Sequence, residues 1–146
     1  MNEMYIGAGL AIGLSGIGIG IGEGIIAKKS VELMGRNPAM ISFFLTVTVL
    51  GIALAESSAI YGLIVAQKIL GTEGLSLIQS AGAGLAVGLA GLGAAIGEGF
   101  LIAGSLEAMN RNPENKQKML TFMVLFVALV ESAAIYGLIV AMQILG

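Results

Sequence analysis

Two carboxylates lie in stretches too apolar for water. Glu56 sits in a run without another charge from Pro38 to Gln67, and Glu131 in one from Met119 to Gly146. If these runs are helical, a rise of 1.5 Å per residue puts Glu56 ~24 Å from Met40 and ~18 Å from Lys68. That is deep inside a hydrocarbon layer ~30 Å thick. An ionised carboxylate there costs about 3 kcal/mol on insertion scales, which marks it as a functional candidate. Hydroxyls follow each glutamate at the same offsets: Ser57 and Tyr61 after Glu56, Ser132 and Tyr136 after Glu131. Each serine and tyrosine are four residues apart and share a helix face. The carboxylate, the serine hydroxyl and a backbone carbonyl from the turn before form an oxygen-only set, with the tyrosine hydroxyl able to hold the carboxylate in place. Such a set suits a proton or an alkali cation and no transition metal. Glu23 and Glu98 are two further carboxylates, each between glycines (Gly22-Glu23-Gly24, Gly97-Glu98-Gly99) that leave space around the side chain. Folding the chain back at Arg36–Pro38 leaves Glu23 and Glu56 about 7 Å apart along the axis. Two carboxylates with one monovalent cation would carry a net negative charge in low dielectric. One carboxyl of each pair is therefore expected to stay protonated when sodium is bound. The blander readings are a protonated Glu56 that only ties helices together, and a Glu23 that only pairs with Lys28.

The elements that hold these residues must be membrane helices. Of 146 residues, 57% are hydrophobic and 11% charged, against roughly 25% charged in soluble domains. A chain of this size leaves about 30% of its surface exposed even when folded, so a mean hydropathy of +0.97 excludes a soluble globular protein. With no Cys and no His, disulfides, zinc sites and histidine acid–base chemistry are absent. The net charge of −2 gives no basic surface for nucleic acid. Four apolar stretches are long enough to span: about Met4–Ala27, Met40–Ala66, Leu75–Ala103 and Met119–Leu145. No basic stretch precedes the first, so a signal peptide is not expected.

The sequence is a tandem duplication, the first thing to look for in any chain. A shift of 75 residues places Glu23 on Glu98, Glu32 on Glu107, Arg36-Asn37-Pro38 on Arg111-Asn112-Pro113, Glu56 on Glu131 and Tyr61 on Tyr136. Glu56–Ala66 (ESSAIYGLIVA) and Glu131–Ala141 (ESAAIYGLIVA) differ only at Ser58 and Ala133. Each unit reads as a helical hairpin: residues 1–71 with a loop at about 34–39, and residues 72–146 with a loop at about 109–116. Lys28, Lys29 and Arg36 cluster at one loop and Arg111, Lys116 and Lys118 at the other, with only Lys68 at the opposite end. The positive-inside rule puts both loops in the cytoplasm and both termini outside. Pro38 and Pro113 suit a first helical turn, where a missing N–H costs nothing.

Most of the 23 glycines fall in the first and third apolar stretches. Gly9, Gly13, Gly16, Gly20 and Gly24 recur every three or four residues, with Gly18 and Gly22 in a second row. Small residues let membrane helices approach closely. Two such rows on one helix suggest like neighbours on both sides, hence an inner ring of the odd-numbered spans with the bulkier even ones outside.

With these features together, each hairpin resembles the proteolipid (c-type) subunit of rotary ATP synthases and ATPases. The matching elements are the glycine-rich first helix, the Arg-Asn-Pro loop and the mid-membrane Glu of the second helix. The match is nearest the sodium-translocating type: Glu23 and Glu98 stand for its first-helix Gln or Glu, and Glu56-Ser57 with Tyr61 and Glu131-Ser132 with Tyr136 for its Glu-Ser-x-x-x-Tyr. The resemblance implies an all-α membrane protein of two tandem hairpins, four transmembrane helices, assembling into an oligomeric ring. It also implies a non-catalytic rotor subunit that carries Na+, with H+ competing, on glutamates and couples ion flow to rotation. The carbonyls of Leu54 and Leu129 would be ligands. The residue after the serine can hold a coordinated water, which Ser58 allows at the Glu56 site and Ala133 does not at the Glu131 site, so the two sites would differ in affinity. Arg36, Asn37, Pro38, Arg111, Asn112 and Pro113 would form the docking surface for central-stalk subunits. The other partners implied are identical subunits, a stator a-type subunit and membrane lipid, in the cell membrane. The fused form is that of vacuolar-type proteolipids, but those commonly keep one carboxylate per four helices and this chain keeps both. Ion sites would lie between neighbouring hairpins, half within a chain and half between chains.

No phosphate-binding loop or soluble domain is present to bind or cleave ATP, and no organic cofactor is expected. Without the resemblance, the same residues also fit a small four-helix ion-coupled transporter built from repeats, or a structural or channel-forming proteolipid.

Overall fold

The computed structural model describes residues 4–146; residues 1–3, which the range of the first hairpin includes, lie outside the described residues. Five α-helices run α1 (Met4–Arg36), α2 (Ile41–Ala55), α3 (Ser57–Gly71), α4 (Leu77–Arg111) and α5 (Lys116–Leu145). Among the described residues there is no strand. Counting α2 and α3 as one, four helices are long and apolar enough to cross a membrane.

The helices extend past the apolar stretches. α1 continues from Ala27 to Arg36 and α4 from Ala103 to Arg111, because their charges pair along the helix as i,i+3 and i,i+4 neighbours. Lys29 Nζ lies 3.2 Å from Glu32, Arg36 pairs with Glu32, and Arg111 Nε lies 3.1 Å from Glu107. Each loop is thereby reduced to one asparagine and a 3-10 turn opened by proline: Asn37 before Pro38–Met40, Asn112 before Pro113–Asn115. α4 begins at Leu77 rather than near Leu75, because Ser76 and Gln79 form a reciprocal capping box that satisfies two orphan N–H groups. Gly74, with φ +77°, turns the linker between the hairpins.

α1 and α4 form the central contact. A Cβ placed on Gly7 would strike Ser80, on Gly18 Leu92, on Gly22 Ala95, and on Gly84 or Gly99 the backbone of Gly7 or Gly22. The pairs advance in the same direction, so α1 and α4 run parallel. They also follow the duplication: the counterpart of Gly7 is Gly82, between its contacts Ser80 and Gly84; that of Gly22 is Gly97, between Ala95 and Gly99. Equivalent residues of the two hairpins therefore stand at the same level. Only the row holding Gly18 and Gly22 is used in this way. Gly9, Gly13, Gly16, Gly20 and Gly24 have open space where a Cβ would point.

α5 packs antiparallel on α4, with Gly137 against Ala86 and Ala90, and α3 packs on α1 where Gly62 meets Ala11 and Ser15. The apolar interior has two parts. Ile26, Leu33, Phe44, Val47, Ile102, Leu106 and Met123 fill the loop end. Ala8, Ala11, Val65, Ile69, Val87, Ala141 and Leu145 fill the end nearer the termini. In chain order, Glu23, Glu56, Glu98 and Glu131 all fall between these clusters.

The two glycine rows predict different defects. Gly22→Leu should break the α1–α4 contact and unfold the four-helix unit, since overpacking costs about 1–3 kcal/mol or more. Gly16→Leu should leave the chain folded yet prevent rings. Thermal unfolding in detergent, followed by circular dichroism, and native mass spectrometry of the oligomer would separate the outcomes.

Candidate ion-binding site

The layer between the clusters collects oxygen atoms from both hairpins. Glu98 is 0% exposed. Its two carboxyl oxygens and the Ser58 hydroxyl are the buried side-chain polar atoms without a hydrogen-bond partner among the described residues. Burying a polar group unpaired is costly, which sets these three atoms apart from the rest of the interior. Glu98 stands within electrostatic reach of Glu131. The Tyr61 hydroxyl donates to Glu131 Oε1 at 2.7 Å, and the Ser57 side chain lies against the same hydroxyl. α3 of the first hairpin thus meets α4 and α5 of the second around one cluster: Ser57, Tyr61, Glu98 and Glu131. All of its side-chain donor atoms are oxygen.

Each serine hydroxyl donates to the carbonyl three residues back: Ser57 to Leu54 at 2.9 Å and Ser132 to Leu129 at 2.7 Å. The leucine carbonyls therefore lie beside the hydroxyls in both repeats.

Tyr61 serves the glutamate of the other hairpin, not its own. Helix geometry gives the reason. Tyr61 is five residues after Glu56, or about 140° round the helix axis at ~100° per residue, and cannot turn back to it. Ser58 is about 160° from Glu56 and ~60° from Tyr61, and points away from the glutamate of its own repeat. The Ser58 backbone packs against α4, its carbonyl 3.4 Å from where a Cβ on Gly91 would stand.

The remaining residues are divided between two edges of the chain. Glu23 and Glu56 interact electrostatically, with Glu23 half-buried and Glu56 exposed. Tyr136 is 64% and Leu129 69% exposed, on the other repeat. Between α2 and α3 the backbone of Glu56 stays helical (φ −64°, ψ −20°), and its carbonyl accepts from the N–H groups of both Ala59 and Ile60. α5 runs through Glu131 unbroken.

At the loop end, Arg36, Arg111, Asn112, Pro38 and Pro113 are exposed, and Asn37 is half-buried. Asn37 Nδ2 donates to Asn110 Oδ1 at 3.4 Å. From sequence, Lys29 has no role beyond its charge. In the structure it joins the hairpins, with Nζ 3.2 Å from Glu32 and 3.4 Å from Glu107. A signal for this exists in the repeat, since Glu32 and Glu107 are equivalent and one lysine lies a turn away.

Four spanning helices in two equivalent hairpins, packed through glycine and carrying carboxylates at mid-depth, define a membrane subunit of the ion-carrying proteolipid class. The family model for the C subunit of ATP synthase matches residues 6–67 and again 81–144, and the chain belongs to that family. It is 38% identical over 141 residues to the K subunit of the A-type ATP synthase of Methanocaldococcus jannaschii, covering 96% of this chain and 60% of that protein; the chain thus spans three-fifths of that relative's length. One hairpin's length is 48% identical to the ATP synthase c subunit of Clostridium beijerinckii over 71 residues, 49% of this chain and 99% of the relative. The ATP synthase c subunit of Thermotoga petrophila is 44% identical over 66 residues, covering 45% of this chain and 78% of that protein. The chain is accordingly a c-type proteolipid with four membrane-spanning helices.

Removing the tyrosine hydroxyl tests the cross-hairpin contact. Tyr61→Phe is expected to raise the reactivity of Glu131 toward a hydrophobic carbodiimide about tenfold, the scale of a lost hydrogen bond to a charged group. Glu56 should be unaffected. Mass spectrometry of the labelled peptides reads the two sites separately.

Proposed function

We propose that this subunit carries Na+ as its transported ion, with H+ as the competitor, one ion at Glu131 and one at Glu56. The observation that carries the reading is the cluster in which Tyr61 holds Glu131 while the fully buried Glu98 offers two unpaired carboxyl oxygens. A proton alone needs one carboxyl. The surplus of hydroxyl and carboxyl oxygen, with the Leu54 and Leu129 carbonyls beside Ser57 and Ser132, favours a cation that requires several ligands. Fully buried, Glu98 is the carboxyl better left neutral, so that Na+ with ionised Glu131 makes a site of zero net charge.

The same reading completes the second site from two copies of the chain. The Glu23–Glu56 edge of one copy would meet the Ser132–Tyr136 edge of the next, as Glu98–Glu131 meets Ser57–Tyr61 within a chain. The open row Gly9, Gly13, Gly16, Gly20 and Gly24 would then pack as its counterpart in α4 does. A ring built only of this chain holds an even number of hairpins and one ion per hairpin. A loaded site is neutral and moves past lipid; an emptied Glu56 or Glu131 is charged and is stabilised by water and a basic residue of a stator a-type subunit. The loops bearing Arg36-Asn37-Pro38 and Arg111-Asn112-Pro113 would dock on the central stalk. Their basic clusters favour a cytoplasmic position in the cell membrane, with both termini outside.

The test is carbodiimide labelling of the purified ring against sodium concentration and pH. Sodium on the order of 10 mM should protect both Glu56 and Glu131 near neutral pH, since a bound ion blocks the competing reaction by mass action. Labelling should disappear at each site in Glu56→Gln and Glu131→Gln. Absence of sodium protection in the intact ring would refute the sodium assignment and make H+ the transported ion.

A further inference from the structure

The two repeats differ at one position in the eleven-residue stretch that begins with the glutamate: Ser58 against Ala133. Ser58 is 0% exposed, and its hydroxyl has no hydrogen-bond partner among the described residues. It follows Ser57, whose side chain lies against the Tyr61 hydroxyl, which in turn donates to Glu131. Its own carbonyl abuts α4, within ordinary contact of where a Cβ on Gly91 would stand. A lone serine in a helix usually bonds back to a carbonyl of the preceding turn. Ser57 does so, to Leu54, whereas Ser58 does not. Ser58 is thus buried where α3 packs on α4 of the other hairpin. By the equivalence of the repeats, the neighbour of Glu56 in the next copy is Tyr136 with Ala133, which has no hydroxyl.

We propose that Ser58 makes the two ion sites unequal: the site within the chain, at Glu131, binds the cation more tightly than the site between chains, at Glu56. The ligand class is a small monovalent cation, with Ser58 as a supplementary oxygen that acts directly or through one coordinated water. The order is the reverse of the one obtained by assigning Ser58 to the glutamate of its own repeat. A fused chain can hold such a difference where a ring of single hairpins cannot, because its hairpins alternate in sequence around the ring. This inference rests on the sodium reading given above.

The experiment is sodium protection against carbodiimide in the intact ring, read separately at Glu56 and Glu131 by peptide mass spectrometry. The expected midpoint for Glu131 is about five- to tenfold lower in sodium than that for Glu56, the scale of one net hydrogen bond. Ser58→Ala should raise the Glu131 midpoint to the level of Glu56 and leave Glu56 in place. Alanine already occupies the equivalent position in the second repeat, so the variant is expected to assemble. Ala133→Ser should lower the Glu56 midpoint. Equal midpoints in the unaltered ring, or a Ser58→Ala effect confined to Glu56, would overturn the proposal and leave the sodium reading intact. Absence of protection at both glutamates would overturn both.

Discussion

Everything else in this molecule depends on two helix backbones that touch. In lipid no hydrophobic force draws α1 to α4, and the contact rests on van der Waals packing between surfaces without side chains. It also fixes the register. Gly7 sits between Ser80 and Gly84, and Gly22 between Ala95 and Gly99, so each residue of α1 lies level with its counterpart 75 positions on. The two hairpins are therefore related by rotation with no rise along the helix axes. A repeated contact of that kind closes on itself, whereas one with a rise would continue as a helical filament. The level packing of a single chain thus suits a ring of such chains.

Level registration decides what the carboxylates can do. Glu23 and Glu98 share a level, as do Glu56 and Glu131, and all four lie between the two apolar clusters. A charge at this depth must find its partner within the same thin layer. Glu131 finds it in the hydroxyl of Tyr61, which belongs to the neighbouring hairpin. Glu56 is left exposed at the edge of the chain, and Tyr136 is exposed on the other repeat. One duplication thus yields one closed cluster and one divided cluster.

Much of this is legible in the sequence because membrane helices announce themselves. Length, lack of charge, the 75-residue repeat and the proline-marked loops define four spans and two hairpins. The chemistry of the layer is legible as well, from glutamates with hydroxyls at repeated offsets. Pairing across hairpins is harder to see, because proximity in sequence suggests that Tyr61 serves Glu56; the ~140° between them on the helix is the constraint that decides otherwise. The roles of the glycine rows are not separable either. Gly16 and Gly18 are the same residue in the same helix, and only the position of α4 makes one a contact and the other open.

The exposure of Glu56 beside a fully buried Glu98 bears on how a fused rotor could work under the sodium reading. Each ion crossing a 100 mV potential contributes ~2.3 kcal/mol, whichever site carries it, because that work depends only on the two sides between which the ion passes. Unequal affinities therefore cannot change the total work of a turn. They change how it is divided among steps: a tight site releases its ion at greater cost and loads at lower concentration, and a weak one does the opposite. In a ring where the two alternate, successive steps would differ while each pair of steps returns the same energy. The natural unit of rotation for this rotor is then the whole chain of two hairpins, not the single hairpin from which it was duplicated.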